Sequence, residues 1–407
     1  MRRVLIIGSG QAGANTAICL RDLGFQGDIT LAGEEEHLPY ERPPLSKEVL
    51  LGRAEANACT VLTRRAAEER RIALRLGHHA VAIDRDRRQV RFEDGAVVSY
   101  DVLVLATGAR ARPAPVAPGA LTLRSADDAI RLREELRLGR RLLVLGGGVL
   151  GLEVASSAAS LGVRVTVLES ARSALPRLLP PPLGRWLYRL HQDRGVDLRL
   201  GCEAVEVING SPGRCRTSLG DEISFDVLVA AVGSIADDAL AAVADLEVTG
   251  GIVVDPTGRT SDSAIFAVGD CVRRRNPVSG ALLGRETWQH AQNGPAALAR
   301  TILGTPTPYD ETPWFWSDQH GVNIQILGDT AGARATMVYR GEQSARSWMA
   351  FEVSKEARVM AGYAFNAGRE MRAVRQIVGR RTIVDIRRLA DPAVRLVDAV
   401  ERDGLHC

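Results

Sequence analysis

Two glycine-rich turns carry the most legible chemistry in this sequence: Gly8-Ser9-Gly10-Gln11-Ala12-Gly13 and Gly146-Gly147-Gly148-Val149-Leu150-Gly151. Glycines at this spacing permit a tight turn, a close approach of backbone to pyrophosphate, and a helix packed tightly on the preceding strand. The helix N-terminus then faces the anion. One such turn alone is weak evidence. Here each follows an apolar run, residues 4–7 or 142–145, and each leads through a helix-like stretch into a second strand, residues 29–31 or 163–168. That is the strand–turn–helix–strand context the motif requires. Two copies imply two dinucleotides, with Gly8, Gly10, Ala12 and Gly13 around one pyrophosphate and Gly146, Gly148 and Gly151 around the other.

The acidic residue that follows each turn separates the two ligands. In the second copy Glu169 stands roughly 20 residues beyond the first glycine, where a carboxylate accepts from both ribose hydroxyls and repels a 2′-phosphate. NADH is expected there rather than NADPH. Arg172 lies close enough to soften that preference, although a solvated surface arginine is its plainer reading. In the first copy the equivalent place holds Gly33, followed by Glu34, Glu35 and Glu36. Glu34 is the candidate ribose ligand; Glu35 and Glu36 are expected to be solvated. The segment Tyr40-Glu41-Arg42-Pro43-Pro44-Leu45-Ser46-Lys47 points to FAD in this first copy. A flavin must be held rigidly and given positive charge when it is reduced. The two prolines stiffen the chain, and Arg42 and Lys47 flank them. Taken alone, the same segment also reads as a proline-rich surface loop. Lys47 stands out because only Lys355 joins it as a lysine among the 52 basic residues.

The elements that position these residues are repeated too. Tyr100-Asp101-Val102-Leu103-Val104-Leu105-Ala106-Thr107-Gly108 is echoed by Phe225-Asp226-Val227-Leu228-Val229-Ala230-Ala231-Val232-Gly233. Short buried strands closed by glycine fit parallel sheets with ligands at the strand carboxyl ends. The expected fold is α/β: two Rossmann-like dinucleotide-binding domains, arranged as in glutathione reductase, and a C-terminal α+β domain. The boundaries read as residues 1–111 for the first part of the FAD domain, 112–239 for the NADH domain, 240–309 for the second part of the FAD domain, and 310–407 for the last. Three prolines and a glycine in residues 111–119 mark the first junction. Beyond residue 310, alternating stretches predict an antiparallel sheet, with a helix near residues 370–378.

Bulk properties narrow the function. At 407 residues with 45% hydrophobic content, the chain is large enough for two or three domains with real cores. A net charge of +3 gives no reason to expect nucleic acid or a membrane as partner. The apolar run at residues 4–7 is too short for a signal-peptide core, so a cytoplasmic location is expected. Six cysteines, Cys19, Cys59, Cys202, Cys215, Cys271 and Cys407, show no zinc or iron–sulfur spacing. They read as isolated structural thiols, and no metal is expected.

Five segments together resemble a known family. They are Arg42-Pro43-Pro44-Leu45-Ser46-Lys47, Ala106-Thr107-Gly108-Ala109-Arg110, Phe266-Ala267-Val268-Gly269-Asp270-Cys271, Arg285-Glu286-Thr287-Trp288 and Pro313-Trp314-Phe315-Trp316-Ser317-Asp318-Gln319. The chain resembles, over essentially its whole length, the FAD-dependent NADH:ferredoxin reductases of bacterial oxygenase systems. The aromatic-ring dioxygenase branch is the nearest, through Arg274-Arg275-Asn276-Pro277 followed by Glu286-Thr287-Trp288. The resemblance implies that Glu34 holds the adenosine ribose of FAD and that Ala80 meets the adenine through its backbone. It implies that Arg42, Lys47 and Arg124 contact the flavin or its phosphates and that Thr107 and Gly108 close the cleft. Asp270 would bind the ribityl hydroxyls, and Trp288 and Trp316 would border the ring. Glu153 would sit by the nicotinamide carboxamide and Arg177 by the NADH backbone. Lys47 and Trp316 carry the catalytic assignment.

Blander roles stay open for several of these. Glu153 also suits an ordinary first-turn helix carboxylate, Asp270 a turn cap, and Trp314 a core residue sharing a strand face with Trp316. Two departures from the family stand out: Glu rather than Asp at position 34, and Gly294-Pro295 where a Gln-Gly pair is usual. A proline inside a helix costs about 3 kcal/mol, so a kink or a restarted helix is expected there. The implied activity is passage of electrons from NADH through FAD to a [2Fe–2S] ferredoxin serving an oxygenase, a cytochrome P450 system included. No cysteine pair is present to take electrons from the flavin, so they must leave it directly. Reduction of a quinone or oxygen, or a signalling flavoprotein of the apoptosis-inducing-factor type, are the rivals. The run Arg273-Arg274-Arg275 suits either an acidic ferredoxin or plain solvation. The oligomeric state is left open.

Overall fold

The computed structural model describes residues 2–275, 280–284, 286–328 and 335–401. It divides into two compact units. One comprises residues 1–112, 123–131 and 233–310; the other comprises residues 113–122, 132–232 and 311–407.

The first unit is built on a parallel five-stranded sheet. From edge to edge its strands are Ile265–Ala267, Val102–Leu105, Arg3–Ile7, Asp28–Gly33 and Ile72–Leu76. Both faces are covered, so successive residues of the central strand enter different cores. Val4 and Ile6 pack with Leu20, Leu31 and Val104, while Leu5 and Ile7 pack with Leu103, Leu105 and Ile252. The winding reverses between Arg3–Ile7 and Val102–Leu105, and crevices for ligands open at the carboxyl ends of strands at such a switch point. Register brings three chain segments to that edge, because Ile7 pairs with both Ala32 and Leu105. The helix Gln11–Asp22 follows directly. An antiparallel layer of Ala80–Asp84, Gln89–Phe92 and Val97–Ser99 is inserted between the strands Ile72–Leu76 and Val102–Leu105.

The second unit repeats this plan. Its parallel sheet runs Asp197–Leu200, Arg164–Glu169, Arg141–Leu145, Val227–Ala230, and the helix Val149–Ser160 follows the glycine turn. The copies match bond for bond. Gly8 N donates to Ala32 O at 2.8 Å and Gly146 N to Leu168 O at 2.8 Å. Ala106 N donates to Ile7 O at 2.7 Å and Ala231 N to Leu145 O at 2.7 Å.

The same unit holds the C-terminal antiparallel sheet, ordered Trp314–Gln319, Val322–Gly328, Val359–Phe365, Trp348–Val353, Thr336–Arg340. The helix Met371–Gly379 lays Met371, Val374, Ile377 and Val378 over it. Gly362 makes that approach possible, since a Cβ there would lie 2.5 Å from Val374 Cγ1. Sheet and helix match the expected α+β module.

Candidate functional site

The two glycine turns show why each glycine is a glycine. A Cβ on Gly8 would lie 2.1 Å from Ala106 O, and one on Gly13 would lie 1.9 Å from Gly8 O. Gly8 also has φ +109°, a conformation that favours glycine. The second turn repeats both: Gly146 at φ +100° would meet Ala231 O at 2.5 Å, and Gly151 would meet Gly146 O at 2.0 Å. The middle glycines differ. A Cβ on Gly10 or on Gly148 would meet no protein atom within 4 Å. Both are helix N-caps without a side-chain capping bond. Two helix N-termini thus face open space where protein packing demands nothing, which fits a pyrophosphate on each.

Around the first turn the expected residues converge within their unit. Gly269 would place a Cβ 2.9 Å from Ala12 Cβ, which sets Asp270 at the same sheet edge as the turn. Asp270 accepts from Arg124 Nη2 at 3.0 Å, and Arg124 Nε donates to Ala109 O at 2.8 Å. Thr107 Oγ1 donates to Asp237 O at 2.5 Å, and Gly108 follows it at φ +75°. Glu34 is exposed just past the Asp28–Gly33 strand, 3.2 Å from a ring nitrogen of His79. Ala80, next in chain, is buried. Lys47 closes the 3₁₀ turn Pro43–Ser46 and donates from Nζ to Pro43 O at 3.2 Å.

Glu35 departs from expectation. It is not solvated: its carboxylate accepts from Tyr40 Oη at 2.5 Å and from Arg42 Nη2 at 2.8 Å. Arg42 also donates to the Arg124 carbonyl, and its guanidinium lies over the Tyr40 ring, 5.5 Å from the centroid. Burial, and then the neighbouring Glu35, push the Tyr40 phenol well above its ordinary range. Glu36 is exposed as expected. The missed signal was a Tyr and an Arg of the proline segment close in chain to a glutamate.

At Pro295 the restart alternative does not occur. The helix Trp288–Ile302 runs through it without restarting. Thr287 caps its start by accepting from His290 N at 3.1 Å. Gln292 Oε1 fixes its middle, accepting from Gln11 Nε2 at 2.8 Å and Asn15 Nδ2 at 2.9 Å. Burial of Pro295, Ala297, Leu298 and Ile302 offsets the lost N–H. Trp288 is therefore the first residue of an unbroken helix. Asn276, Pro277 and Arg285 lie outside the described residues.

The basic run is engaged within its own surface. Arg273 pairs with Glu286 at 3.0 Å, Arg275 with Glu247 at 3.3 Å, and Arg274 donates to the Tyr309 carbonyl. The five described cysteines are free. Burial raises the thiols of Cys19, Cys59, Cys215 and Cys271 above their ordinary value, so none is poised as a thiolate nucleophile.

Around the second turn, Glu169 Oε2 accepts from Gly147 N at 2.7 Å and Oε1 from Ala171 N at 2.7 Å. The carboxylate is thereby fixed beside the cradle. Arg177 is exposed in the segment that leads to the helix Pro181–Asp193. Glu153 is buried just past the first turn of the Val149–Ser160 helix and accepts from Ser317 Oγ at 2.6 Å. Trp316 stacks on Trp314, with centroids 4.9 Å apart and planes 17° apart. Trp314 also donates from Nε1 to Gln325 Oε1 at 3.1 Å and packs against the sheet–helix core. Behind them, Gln319 Nε2 donates to Ser317 Oγ at 2.9 Å, Gln319 Oε1 lies 2.8 Å from His191 Nε2, and His191 Nδ1 lies 3.0 Å from His320 Nε2. Motif reading gave no role to this buried series.

Among the described residues no helix is long and apolar enough to cross a membrane, and no cluster of His, Cys, Asp or Glu could hold a metal ion.

Comparison with known proteins agrees with the geometry. Residues 2–295 match the family model "Pyridine nucleotide-disulphide oxidoreductase", and residues 314–400 match "Reductase C-terminal". The chain is 39% identical over 398 residues to the anthranilate 1,2-dioxygenase system ferredoxin–NAD(+) reductase component of Burkholderia cepacia, covering 96% of this chain and 98% of that one. It is 38% identical over 401 residues to the p-cumate 2,3-dioxygenase system ferredoxin–NAD(+) reductase component of Pseudomonas putida, covering 97% and 98%. Among solved structures, the putidaredoxin reductase in a covalent complex with putidaredoxin superposes with a TM-score of 0.92 at 34% identity, covering 98% of each chain. The ferredoxin reductase of the CYP199A2 system from Rhodopseudomonas palustris gives 0.92 at 32% identity, covering 98% of this chain and all of that one.

Proposed function

We propose, because this chain belongs to the pyridine nucleotide-disulphide oxidoreductase family, that it is an FAD-dependent NADH:ferredoxin reductase whose ferredoxin feeds an aromatic-ring dioxygenase. The observation that carries the reading is the pair of open cradles at Gly10 and Gly148. Each suits one dinucleotide, and the full-length relatives named above are reductase components of dioxygenase systems.

The chain's own residues divide the work. Gly8, Gly10, Ala12 and Gly13 form the cradle for the FAD pyrophosphate, with Ala12 and Gly13 offering N–H groups of the helix's first turn, and Glu34 and the Ala80 backbone stand at the adenosine end. Asp270, held by Arg124, accepts from the ribityl hydroxyls, and Thr107 and Gly108 border the cleft. Arg42 is scaffolding charge, balanced by Glu35, and Lys47 on its stiff turn balances negative charge on the reduced ring. Trp288 is assigned to the ring on the family resemblance. Gly146, Gly148 and Gly151 hold the NADH pyrophosphate, with Arg177 nearby. Glu169 accepts from the adenosine ribose, and Glu153 accepts from the nicotinamide carboxamide. When bound, the flavin supplies the chemistry that takes two electrons from the nicotinamide and passes them on singly. The five described cysteines are free, with Cys202, Cys215 and Cys271 buried and Cys19 and Cys59 half-buried, and the sequence holds no C-x-x-C or C-x-x-x-x-C spacing. Free thiols also suit a reducing, cytoplasmic setting.

The test is NADH oxidation with and without a purified [2Fe–2S] ferredoxin from a dioxygenase system. Two ferredoxins reduced for each NADH lost is the expected result. NADH consumption that oxygen or a quinone sustains equally well, with the ferredoxin left oxidised, would refute the reading. A P450-system ferredoxin is the second reading, favoured by the CYP199A2-system reductase at 32% identity. Comparing both ferredoxin types in the same assay separates the two.

A further inference from the structure

The buried series behind Glu153 has a direction. If Glu153 is ionised, it can only accept, so Ser317 Oγ donates across their 2.6 Å contact. Ser317 has then spent its one proton and accepts from Gln319 Nε2 at 2.9 Å. Gln319 Oε1 is left as the acceptor toward His191 Nε2 at 2.8 Å, which therefore carries that imidazole's proton. His191 Nδ1 is consequently an acceptor, and His320 Nε2 donates to it at 3.0 Å. Every donor points toward the carboxylate. Reversing the Gln319 amide reverses every bond, and Ser317 would then have no proton for Glu153, which would have to be protonated. The polarity of the chain and the charge of Glu153 are thus one property.

Its placement supports a role. Glu153, Ser317, Gln319, His191 and His320 are all buried. His320 is anchored, its backbone N donating to Ser156 Oγ at 2.7 Å on the same helix as Glu153. Burial depresses both imidazoles, His191 to about 4 and His320 to about 3, so both are neutral near pH 7, as the one-way pattern requires. A carboxylate offers about four acceptor positions, and the bond from Ser317 takes one of them.

We propose that Ser317, Gln319, His191 and His320 are positioning residues that hold Glu153 aimed to accept from the carboxamide N–H of the nicotinamide. The inference rests on the NADH-binding reading above and deepens it.

The test uses the FAD-loaded full chain and calorimetric binding of two dinucleotides: NAD⁺, and its 3-acetylpyridine analogue, which lacks the carboxamide NH₂. Ser317→Ala deletes the donor to Glu153. Gln319→Met breaks the chain one step further back at similar volume. Each should weaken NAD⁺ binding about tenfold, in the range for a hydrogen bond to a charged group, and should change binding of the analogue by less than about twofold. A merely structural role would weaken both ligands alike. Thermal unfolding of each variant shows which of them is folded, and either variant suffices. Equal losses for the two dinucleotides, or no loss for either, would overturn the proposal while leaving the function intact. Failure of the unsubstituted protein to bind NAD⁺ would overturn both.

Discussion

Alanine at Gly10 and at Gly13 should have opposite consequences, because the two positions differ in what a methyl group would meet. At Gly13 it would sit 1.9 Å from Gly8 O. That is backbone in a turn already fixed by Gly8 N donating to Ala32 O at 2.8 Å, so strand and helix must separate. Overpacking of this kind costs typically 1–3 kcal/mol and sometimes more. At Gly10 the backbone is extended, with φ −72° and ψ −173°, which alanine adopts readily. Alanine is a poorer N-cap than glycine by up to about 1 kcal/mol, but the Gly→Ala exchange recovers about 0.4–1 kcal/mol from the unfolded chain. The Gly10→Ala apoprotein should therefore unfold within about 1 kcal/mol of wild type. The methyl instead occupies the space assigned to pyrophosphate, and a clash of about 1–3 kcal/mol weakens FAD binding about 10- to 100-fold. The assay pairs urea unfolding of the apoproteins with FAD titration followed by flavin fluorescence. Wild-type FAD affinity in folded Gly10→Ala would refute the cradle, as would a Gly13→Ala apoprotein as stable as wild type. Gly148→Ala should repeat the Gly10 pattern with NADH in place of FAD.

Three further outcomes follow from named contacts. Glu169→Ala removes acceptors for the ribose hydroxyls and the charge that repels a 2′-phosphate. The kcat/KM for NADH should fall about 10- to 100-fold, by the 1.5–3 kcal/mol of hydrogen bonds to a charged group, while that for NADPH holds or rises; equal losses would exclude the role. Arg340 donates to the carbonyls of Leu389, Asp391, Pro392 and Val394 at 3.2, 2.5, 3.3 and 2.6 Å. Arg340→Lys cannot reproduce that fork, and urea unfolding should show a loss of at least about 2 kcal/mol. His191 and His320 are depressed by burial to about 4 and about 3, so the unfolded chain binds protons first as pH falls below the ordinary imidazole range. Their stabilisation is present at neutral pH and declines below about pH 6.5. By pH 5 each forfeits up to about 2 kcal/mol. Urea midpoints between pH 8 and 5 should show this slope, and His191→Gln should flatten it.

The parts of the fold that were legible in sequence are those set by local pattern. Apolar runs such as residues 4–7 and 142–145, each closed by a glycine turn, become parallel strands because a strand buried on both faces has no polar alternation to show. The C-terminal sheet was legible for the opposite reason: stretches such as residues 322–327 alternate. Its helix, Met371–Gly379, lies one residue from the expected span. At position 295 the helix does not restart; helix propensity weighs only the lost N–H. The compensation is burial of Pro295, Ala297, Leu298 and Ile302, on a helix that Gln11 and Asn15, far away in sequence, hold through Gln292. Glu35 failed for a related reason, since a run of three glutamates reads as solvated unless one knows that Tyr40 and Arg42 fold back onto it.

The strand Trp314–Gln319 shows how a site can be half visible. Side chains alternate along a strand, so Trp314, Trp316 and Asp318 share one face and Phe315, Ser317 and Gln319 the other. A resemblance built on Trp-Phe-Trp draws attention to the aromatic face, where the stacked pair lies. The polar face carries no recognisable spacing. Its partners, Glu153 and His191, come from helices more than a hundred residues away in sequence. Two buried polar residues, two apart and opposite a tryptophan face, are the local trace. They are costly to bury unless every polar atom is paired, and that cost is itself informative. A strand that hides Ser317 and Gln319 must supply partners for them, and those partners lead to the carboxylate assigned to the nicotinamide.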